Sequence, residues 1–333
     1  MEDRNLTIGD IARELGVSKT TVSRAISGKG RIGEQTRTKV LNYIEEHHYS
    51  PNVVAKGLAQ NKTYNLGMVL PGDYNIVELP FFQNCVLGIS REASAAGYDV
   101  LISVVTDGDI TQLERAVTNR KIDGVVLTRT LVNDAPMRYL KESRVPFVAI
   151  GSAEDEVVQI DNDHRSACRE LTGMLLEQGV RKIALIGGDE NYVVNGSRLE
   201  GFQDAFERRP EWSGSRQVIL NVDDDRTVDR IVEGLLHDGT ECIVGMDDFL
   251  CGCVLNALQI RQIEVPQKIQ IASFYDSTIL ANRLPAITSI GFDVEELGRR
   301  ACGLLLRMLD GEEVKKRTLL GYEVRMRKST RSG

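Results

Sequence analysis

Four side chains between Lys19 and Arg24 could do chemistry together. Lys19, Thr20, Ser23 and Arg24 fall on one side of a helical pattern, and Val22, Ala25 and Ile26 take the other. An ammonium, two hydroxyls and a guanidinium fork on one face are the groups that bond phosphates and base edges in a DNA groove. The polar side of a small helical cap would have the same composition, so the neighbouring elements must decide.

Those elements are short and helical. Thr7-Ile8-Gly9-Asp10 reads as an N-cap with an acidic third residue, after which Ile8, Ile11, Ala12 and Leu15 recur at helical spacing. Gly16 suits the left-handed turn that stops this helix. Ser18 can cap a second helix that carries the polar face. A third is expected from about Glu34 to His47, with Val40, Leu41 and Ile44 inward. Two capped helices joined at Gly16 have helix-turn-helix spacing. Ser50-Pro51 then starts a segment of helical composition, Asn52 to Ala59, too short to be stable in water by itself. Gln60-Asn61-Lys62-Thr63 reads as a linker.

From Asn65 the rhythm changes to apolar, β-rich runs alternating with amphipathic helical ones. The strands expected are Leu66–Leu70, Val100–Val105, Gly124–Leu127, Phe147–Ile150, Lys182–Ile186, Cys242–Gly245 and Ile269–Phe274. Strands buried on both faces and joined by helices predict parallel sheets in α/β layers. The stretch is long for one such unit, so two similar units facing each other across a cleft are expected.

Charge follows the same division. Residues 1–62 hold ten Lys/Arg against seven Asp/Glu, a head of +3 in a chain of −7, which leaves the remainder at −10. A basic head on an acidic body offers one end to phosphates and repels them elsewhere. No apolar run approaches the about 18 residues of a membrane span, and MEDRNLTIGD lacks an apolar signal core, so a cytoplasmic protein is expected. Six scattered cysteines without a C-x-x-C pair, and only four histidines, argue for reduced thiols and against structural zinc. Ile186-Gly187-Gly188-Asp189 is not G-x-G-x-x-G, and neither a phosphate-binding G-x-x-x-x-G-K-[ST] nor a G-x-S-x-G elbow occurs. No cofactor, no metal and no enzymatic activity are expected. A metabolite-binding protein without a DNA function is the alternative that shares such a body, but it would carry no basic helical head.

The segment TIGDIARELGVSKTTVSRAISG, followed by HHYSPNVVAKGL, resembles the LacI family of bacterial transcription regulators; the second stretch matches that family's hinge pattern Y-S-P-N-x-x-A-x-x-L. The resemblance implies a small all-α helix-turn-helix head with a hinge helix, and an α/β body like a periplasmic binding protein, built of two doubly wound parallel-sheet subdomains. It divides the chain into a DNA-binding domain at 1–49, hinge and linker at 50–63, and an effector-binding and dimerisation domain at 64–333. Within the last, an N-subdomain is expected at about 64–161 and 291–321, and a C-subdomain at about 162–290 and 322–333, with crossovers near 161, 290 and 322.

Residue by residue, the resemblance puts Lys19, Thr20 and Arg24 where the family reads the major groove, and Thr21 and Ser23 where phosphate contacts are supported. Thr7 and Ser18, at the starts of the two helices, are counted with them. Tyr49 and Asn52 would approach the backbone near the operator centre. Leu58 would wedge into the minor groove with Ala55 beside it, as a lone apolar residue on an otherwise unstable helix can do. Gly57 makes that segment more dependent on DNA, by about 1 kcal/mol of helix propensity. The alternative is that Val54 and Leu58 pack on the body.

The body landmarks LGMVLP, PFF, IDGVVL, VQIDN, GSRLEGF, GMDD and ASFYDS carry the resemblance to Arg327-Lys328-Ser329-Thr330. They imply Arg198, Asp247 and Asp276 as contacts of a small-molecule effector, Phe82 and Phe249 as an apolar wall, and Asp73 and Arg129 in loops at the mouth. For each charge, a solvated loop or an interlobe ion pair is the bland alternative, above all for Asp73, Arg129 and Asp161. Paired carboxylates with one arginine suit a neutral polyol or sugar, and a sugar acid would need a second cation, Arg129. A nucleobase would ask for more aromatic residues than 5% of the chain. The loop PGDYNIVELPFF is longer than the family's usual one. The expected partners are double-stranded, pseudo-palindromic operator DNA and a second copy of the chain, a homodimer, since the family's heptad tail for tetramers is missing.

Overall fold

The computed structural model describes residues 6–27, 30–47, 49, 57, 60–72, 80–208 and 216–330. It divides into two units, Met1–Tyr64 and Asn65–Gly333.

In the first unit, helix α1 (Ile8–Glu14) begins with a reciprocal cap. Asp10 N donates to Thr7 Oγ1 at 3.2 Å, and Thr7 N donates to Asp10 Oδ2 at 3.1 Å. Gly16, at φ +68°, turns the chain. Ser18 Oγ then accepts from Thr21 N at 3.0 Å at the start of α2 (Lys19–Ser27). Helix α3 spans Glu34–Glu46. Ile11, Ala12, Val22, Ala25 and Val40 are buried together, with Ile26, Tyr43 and Ile44 packed around them. Leu41 corrects the sequence reading: it is 40% exposed. Val40, Tyr43 and Ile44 share a stripe at i, i+3 and i+4, and Leu41 lies about 100° away from Val40 around the helix. Of the hinge segment, Asn52, Ala55 and Leu58 lie outside the described residues, as does Asp73.

Among the described residues, the second unit holds two six-stranded sheets with the same order. In the N-lobe, strands β1 (Asn65–Pro71), β2 (Asp99–Val105), β3 (Gly124–Leu127), β4 (Phe147–Ile150), β5 (Gln159–Asn162) and β11 (Arg317–Leu320) run β11-β5-β4-β3-β1-β2, all parallel. In the C-lobe, β6 (Ile183–Ile186), β7 (Arg216–Ile219), β8 (Cys242–Gly245), β9 (Gln270–Ser273), β10 (Thr288–Gly291) and β12 (Glu323–Arg325) run β12-β10-β9-β8-β6-β7. The helices are α4 (Pro80–Ala95), α5 (Thr111–Thr118), α6 (Ala135–Ser143), α7 (His164–Glu177), α8 (Val193–Glu207), α9 (Asp225–His237), α10 (Asp248–Ile260), α11 (Thr278–Ala281) and α12 (Val294–Leu309).

The chain passes between the sheets three times: after β5, after β10, and through Gly321-Tyr322. The last passage is so short that β12 enters its sheet from the opposite end and pairs antiparallel with β10, Ile290 opposite Val324. One antiparallel edge strand on a parallel sheet is a common arrangement. Burial also departs from expectation at β2, an edge strand whose Leu101, Ile102 and Val104 are exposed.

Helix α12 returns from the C-lobe to pack on α4, and two glycines let the backbones meet. A Cβ on Gly298 would lie 2.6 Å from Cys85 O, and one on Gly88 would collide with Glu295 O. Strands β1, β3, β6, β8 and β9 are almost wholly buried, which fits their Val, Ile and Leu content. All six cysteines are free and buried. Among the described residues no helix is long and apolar enough to cross a membrane.

Candidate effector cleft and nucleic-acid interface

In each lobe the strand order reverses beside the first strand, at β1/β3 and at β6/β8. Segments leaving the carboxyl ends of such strands diverge and leave a crevice. The two crevices face each other across a cavity of about 370 Å³, lined by residues that follow β3, β4, β6, β8 and β9. That volume is within the range of small-molecule sites.

Arg198 reaches this cavity from the first half of α8. It is only 7% exposed, and its Nε has no hydrogen-bond partner among the described residues. A buried guanidinium nitrogen without an acceptor is costly. Asp247 and Asp248 line the same cavity at the start of α10, where Asp247 caps the helix by accepting from Leu250 N at 2.8 Å. Burial pushes both carboxyls up. Asp248 reaches about 6, with the charge of Asp247 adding to the effect and a hydrogen bond with Ser277 opposing it.

Asp161 is also on the wall, yet its oxygens are engaged. Ser152 Oγ donates to Oδ2 at 3.2 Å, Asn162 N donates to Oδ1 at 2.8 Å, and His164 Nε2 lies 3.4 Å from Oδ1. Burial pushes the His164 imidazole down despite the pull of Asp161, so it faces the cavity uncharged.

Arg129 crosses to the other lobe. Its Nη1 donates to the Tyr192 hydroxyl at 2.9 Å, and its guanidinium carbon stands 5.0 Å from that ring's centre. The backbones join there too: Leu131 and Tyr192 form an isolated antiparallel bridge, and Val132 N donates to Asn191 O at 2.9 Å. Phe82, buried, and Phe249, 42% exposed, both line the cavity. Phe81 meets Phe82 and Tyr275 edge to face, at 5.2 and 6.3 Å between ring centres.

Asp276 is not brought to this wall: its carboxylate is clamped by Arg327 and Arg325 at the far end of the chain. Three carboxylates and two tyrosines on the wall were not singled out in the sequence: Asp189, Asp223, Asp248, Tyr192 and Tyr275. Asp248 adjoins Asp247 in GMDD, and Asp189 follows the Gly187-Gly188 pair that closes β6, so position after a strand was the available signal.

In the head, Lys19, Thr20, Ser23 and Arg24 are exposed along α2, opposite the buried Val22 and Ala25. Thr21 is half-buried, its hydroxyl 2.8 Å from Ser18 Oγ, and Thr7 and Ser18 are exposed caps. Tyr49 packs against the head's core.

Comparison with known proteins agrees with both units. Residues 7–52 match the lacI family of bacterial regulatory proteins, and residues 172–330 match a periplasmic binding protein-like domain. The chain is 29% identical to catabolite control protein A of Priestia megaterium over 339 residues, covering 98% of this chain and 100% of that one. Among solved structures, a probable maltose operon transcriptional repressor, malR, of Staphylococcus aureus is 27% identical with a TM-score of 0.76, over 82% of this chain and 100% of that one. The transcriptional regulator CelR in complex with cellobiose is 26% identical with a TM-score of 0.72, over 97% of this chain and 99% of that one. A capped helix-turn-helix with a polar outer face and a two-lobed body with a polar cleft thus occur together along the whole length. The chain carries the DNA-binding head of the lacI family of bacterial regulatory proteins and a periplasmic binding protein-like body, the two parts of a DNA-binding transcriptional regulator.

Proposed function

We propose that this regulator is a dimeric repressor whose hold on a pseudo-palindromic operator is set by a sugar-type effector in the interlobe cleft. The observation that carries the reading is Arg198, buried at the cavity with an unpartnered Nε and Asp247 and Asp248 nearby. A guanidinium donates to ligand oxygens and the carboxylates accept from ligand hydroxyls, which is how a polyol is held. One similar regulator was solved with cellobiose and another is named for a maltose operon, which supports the sugar class.

Two heads with Lys19, Thr20 and Arg24 outward would read two half-sites, and Leu58 would wedge between base steps at the centre. Exposed apolar side chains on both lobes support the dimer: Leu87 and Ile102 on one, Ile260 (77% exposed) and Leu284 (98%) on the other. A ligand that bonds both lobes shifts the population of their arrangements, and operator affinity with it.

The test is a thermal-shift panel of sugars, sugar acids and polyols on the purified protein, paired with operator binding by fluorescence anisotropy. A true ligand stabilises by its mass-action term and alters operator affinity. Arg198→Ala should lose both responses to that ligand and still bind operator; an unchanged response would remove Arg198 from the site.

A further inference from the structure

We infer that the effector carries an ammonium group as well as hydroxyls: an amino sugar, rather than a neutral or an acidic one. The inference rests on the reading of this cleft as a sugar-type effector site, and concerns what the charge on its walls selects.

Among the described residues, five carboxylates line the cavity (Asp161, Asp189, Asp223, Asp247 and Asp248) against two guanidiniums, Arg129 and Arg198. The local partners do not restore balance. Arg129 stands over the Tyr192 ring and donates to its hydroxyl. His164 is held uncharged by burial and adds no positive charge. Asp161 and Asp189 are in part satisfied by neutral donors that bring no countercharge, Ser152 and Asn162 N for the first and Asn191 for the second. Asp247 and Asp248 sit side by side, and among the described residues Arg198 is the guanidinium that acts on both.

The groups facing Asp248 are Asp247 on its own turn, Arg198 from α8, and Tyr275 and Ser277 from the segment after β9. Burial and the Asp247 charge together outweigh Arg198 there, and the carboxyl is pushed up to about 6. A cation seated between the two carboxylates would relieve that repulsion. A neutral hydroxyl cannot, and a phosphate or carboxylate would add to it. The aromatic rings at the same cavity (Phe81, Phe82, Tyr275 and Phe249) offer π faces that attract a cation and repel an anion.

The ammonium accounts for one side of the cavity only. The Arg198 Nε, more than nine-tenths buried and unpartnered, needs an oxygen acceptor. A plain amine has none. A ring with hydroxyls and one amino group meets both demands with atoms a few ångströms apart.

The experiment is isothermal titration and thermal shift on the full chain with matched sets of probes. They are glucosamine, galactosamine, mannosamine and fully deacetylated chitobiose; the parents glucose, galactose, mannose and cellobiose, with maltose; the N-acetylated forms; and gluconate. At least one amino sugar should bind about ten-fold or more tightly than its neutral and its N-acetylated counterparts at about pH 7. That preference should shrink towards about pH 5, as Asp248 takes up a proton and its charge is lost. Asp248→Asn, of the same shape, should bring the ratio close to unity; the pH series on the parent protein needs no variant. A neutral sugar or gluconate that binds as tightly as its aminated counterpart would overturn the inference and leave the sugar-type reading standing. Failure of every probe would overturn both.

Discussion

Arg327 grips Asp276 with both prongs of its guanidinium: Nη1 donates to Oδ1 and Nη2 to Oδ2, each at 2.8 Å. Arg325 Nη1 adds a bond to Oδ2 at 2.6 Å, and Ser289 Oγ one to Oδ1 at 2.8 Å. The carboxylate is 7% exposed, and it ties the segment after β9 to the end of the chain. A carboxylate so filled is a clamp on the C-lobe before it is a contact for a ligand.

Asp276→Asn should therefore cost stability more than it costs ligand affinity. Removing one partner of a buried pair costs about 3–5 kcal/mol. Here the half-exposed Arg325 can turn to water, so about 2–3 kcal/mol is expected in urea denaturation. The pH dependence follows from the same bonds. Burial alone would raise this carboxyl, but the hydrogen bonds from Arg327, Arg325 and Ser289 outweigh it and hold the pKa below its ordinary value. A depressed folded pKa means the stabilisation is complete above the unfolded value, about 4, and is lost as pH falls through the folded one. The variant's stability should be flatter than the parent's below about pH 4. Equal acid limbs would remove Asp276 from the account.

Gly88 makes a second prediction, about packing. Its missing Cβ is where Glu295 O lies, and helix α12 could not approach α4 so closely with any side chain there. Gly88→Ala should destabilise the body by about 1–3 kcal/mol through overpacking. Gly173, in α7, has nothing within 4 Å of the same added atom. Gly173→Ala should be neutral or stabilising by up to about 1 kcal/mol, because alanine suits a helix interior better. Urea midpoints of the two variants should fall on opposite sides of the parent's, or the second should coincide with it.

The head and the alternating body were legible because both depend on local patterns. Thr7 and Asp10 are three residues apart, and the strands are short runs of Val, Ile and Leu. What the sequence did not disclose arises where distant segments meet. Nothing near Asp276 announces Arg327, fifty-one residues on, as its partner. Asp189, Asp248 and Tyr275 leave different strands and share a wall only because those strands end side by side. Leu41 misled for a local reason: three apolar residues within five positions can define more than one helical face, and only the packing of Val40 chooses between them.

The bond between Arg129 and Tyr192 carries the last prediction. It spans the two lobes, beside the backbone bridge between Leu131 and Tyr192. Tyr192→Phe deletes the hydroxyl that accepts from Nη1 and keeps the ring, whose centre is 5.0 Å from the guanidinium carbon. A hydrogen bond to a charged donor is worth about 1.5–3 kcal/mol when buried, and both partners here keep some contact with water, so about 1 kcal/mol is expected. An arrangement with the lobes parted would separate the two side chains, so the loss would fall on the arrangement in which they are joined. A ligand held by both lobes binds the closed arrangement, so its affinity should drop about five-fold, the population-shift equivalent of that energy. Small-angle scattering of the unliganded variant should show a larger radius of gyration than the parent, and saturating ligand should bring the two together. Arg129→Ala should do the same and somewhat more, because it also removes the contact with the ring, and the double variant should add little to it. Additive losses in the double variant would mean that the two residues act on the lobes separately, and the bond between them would then not be what holds the cleft closed.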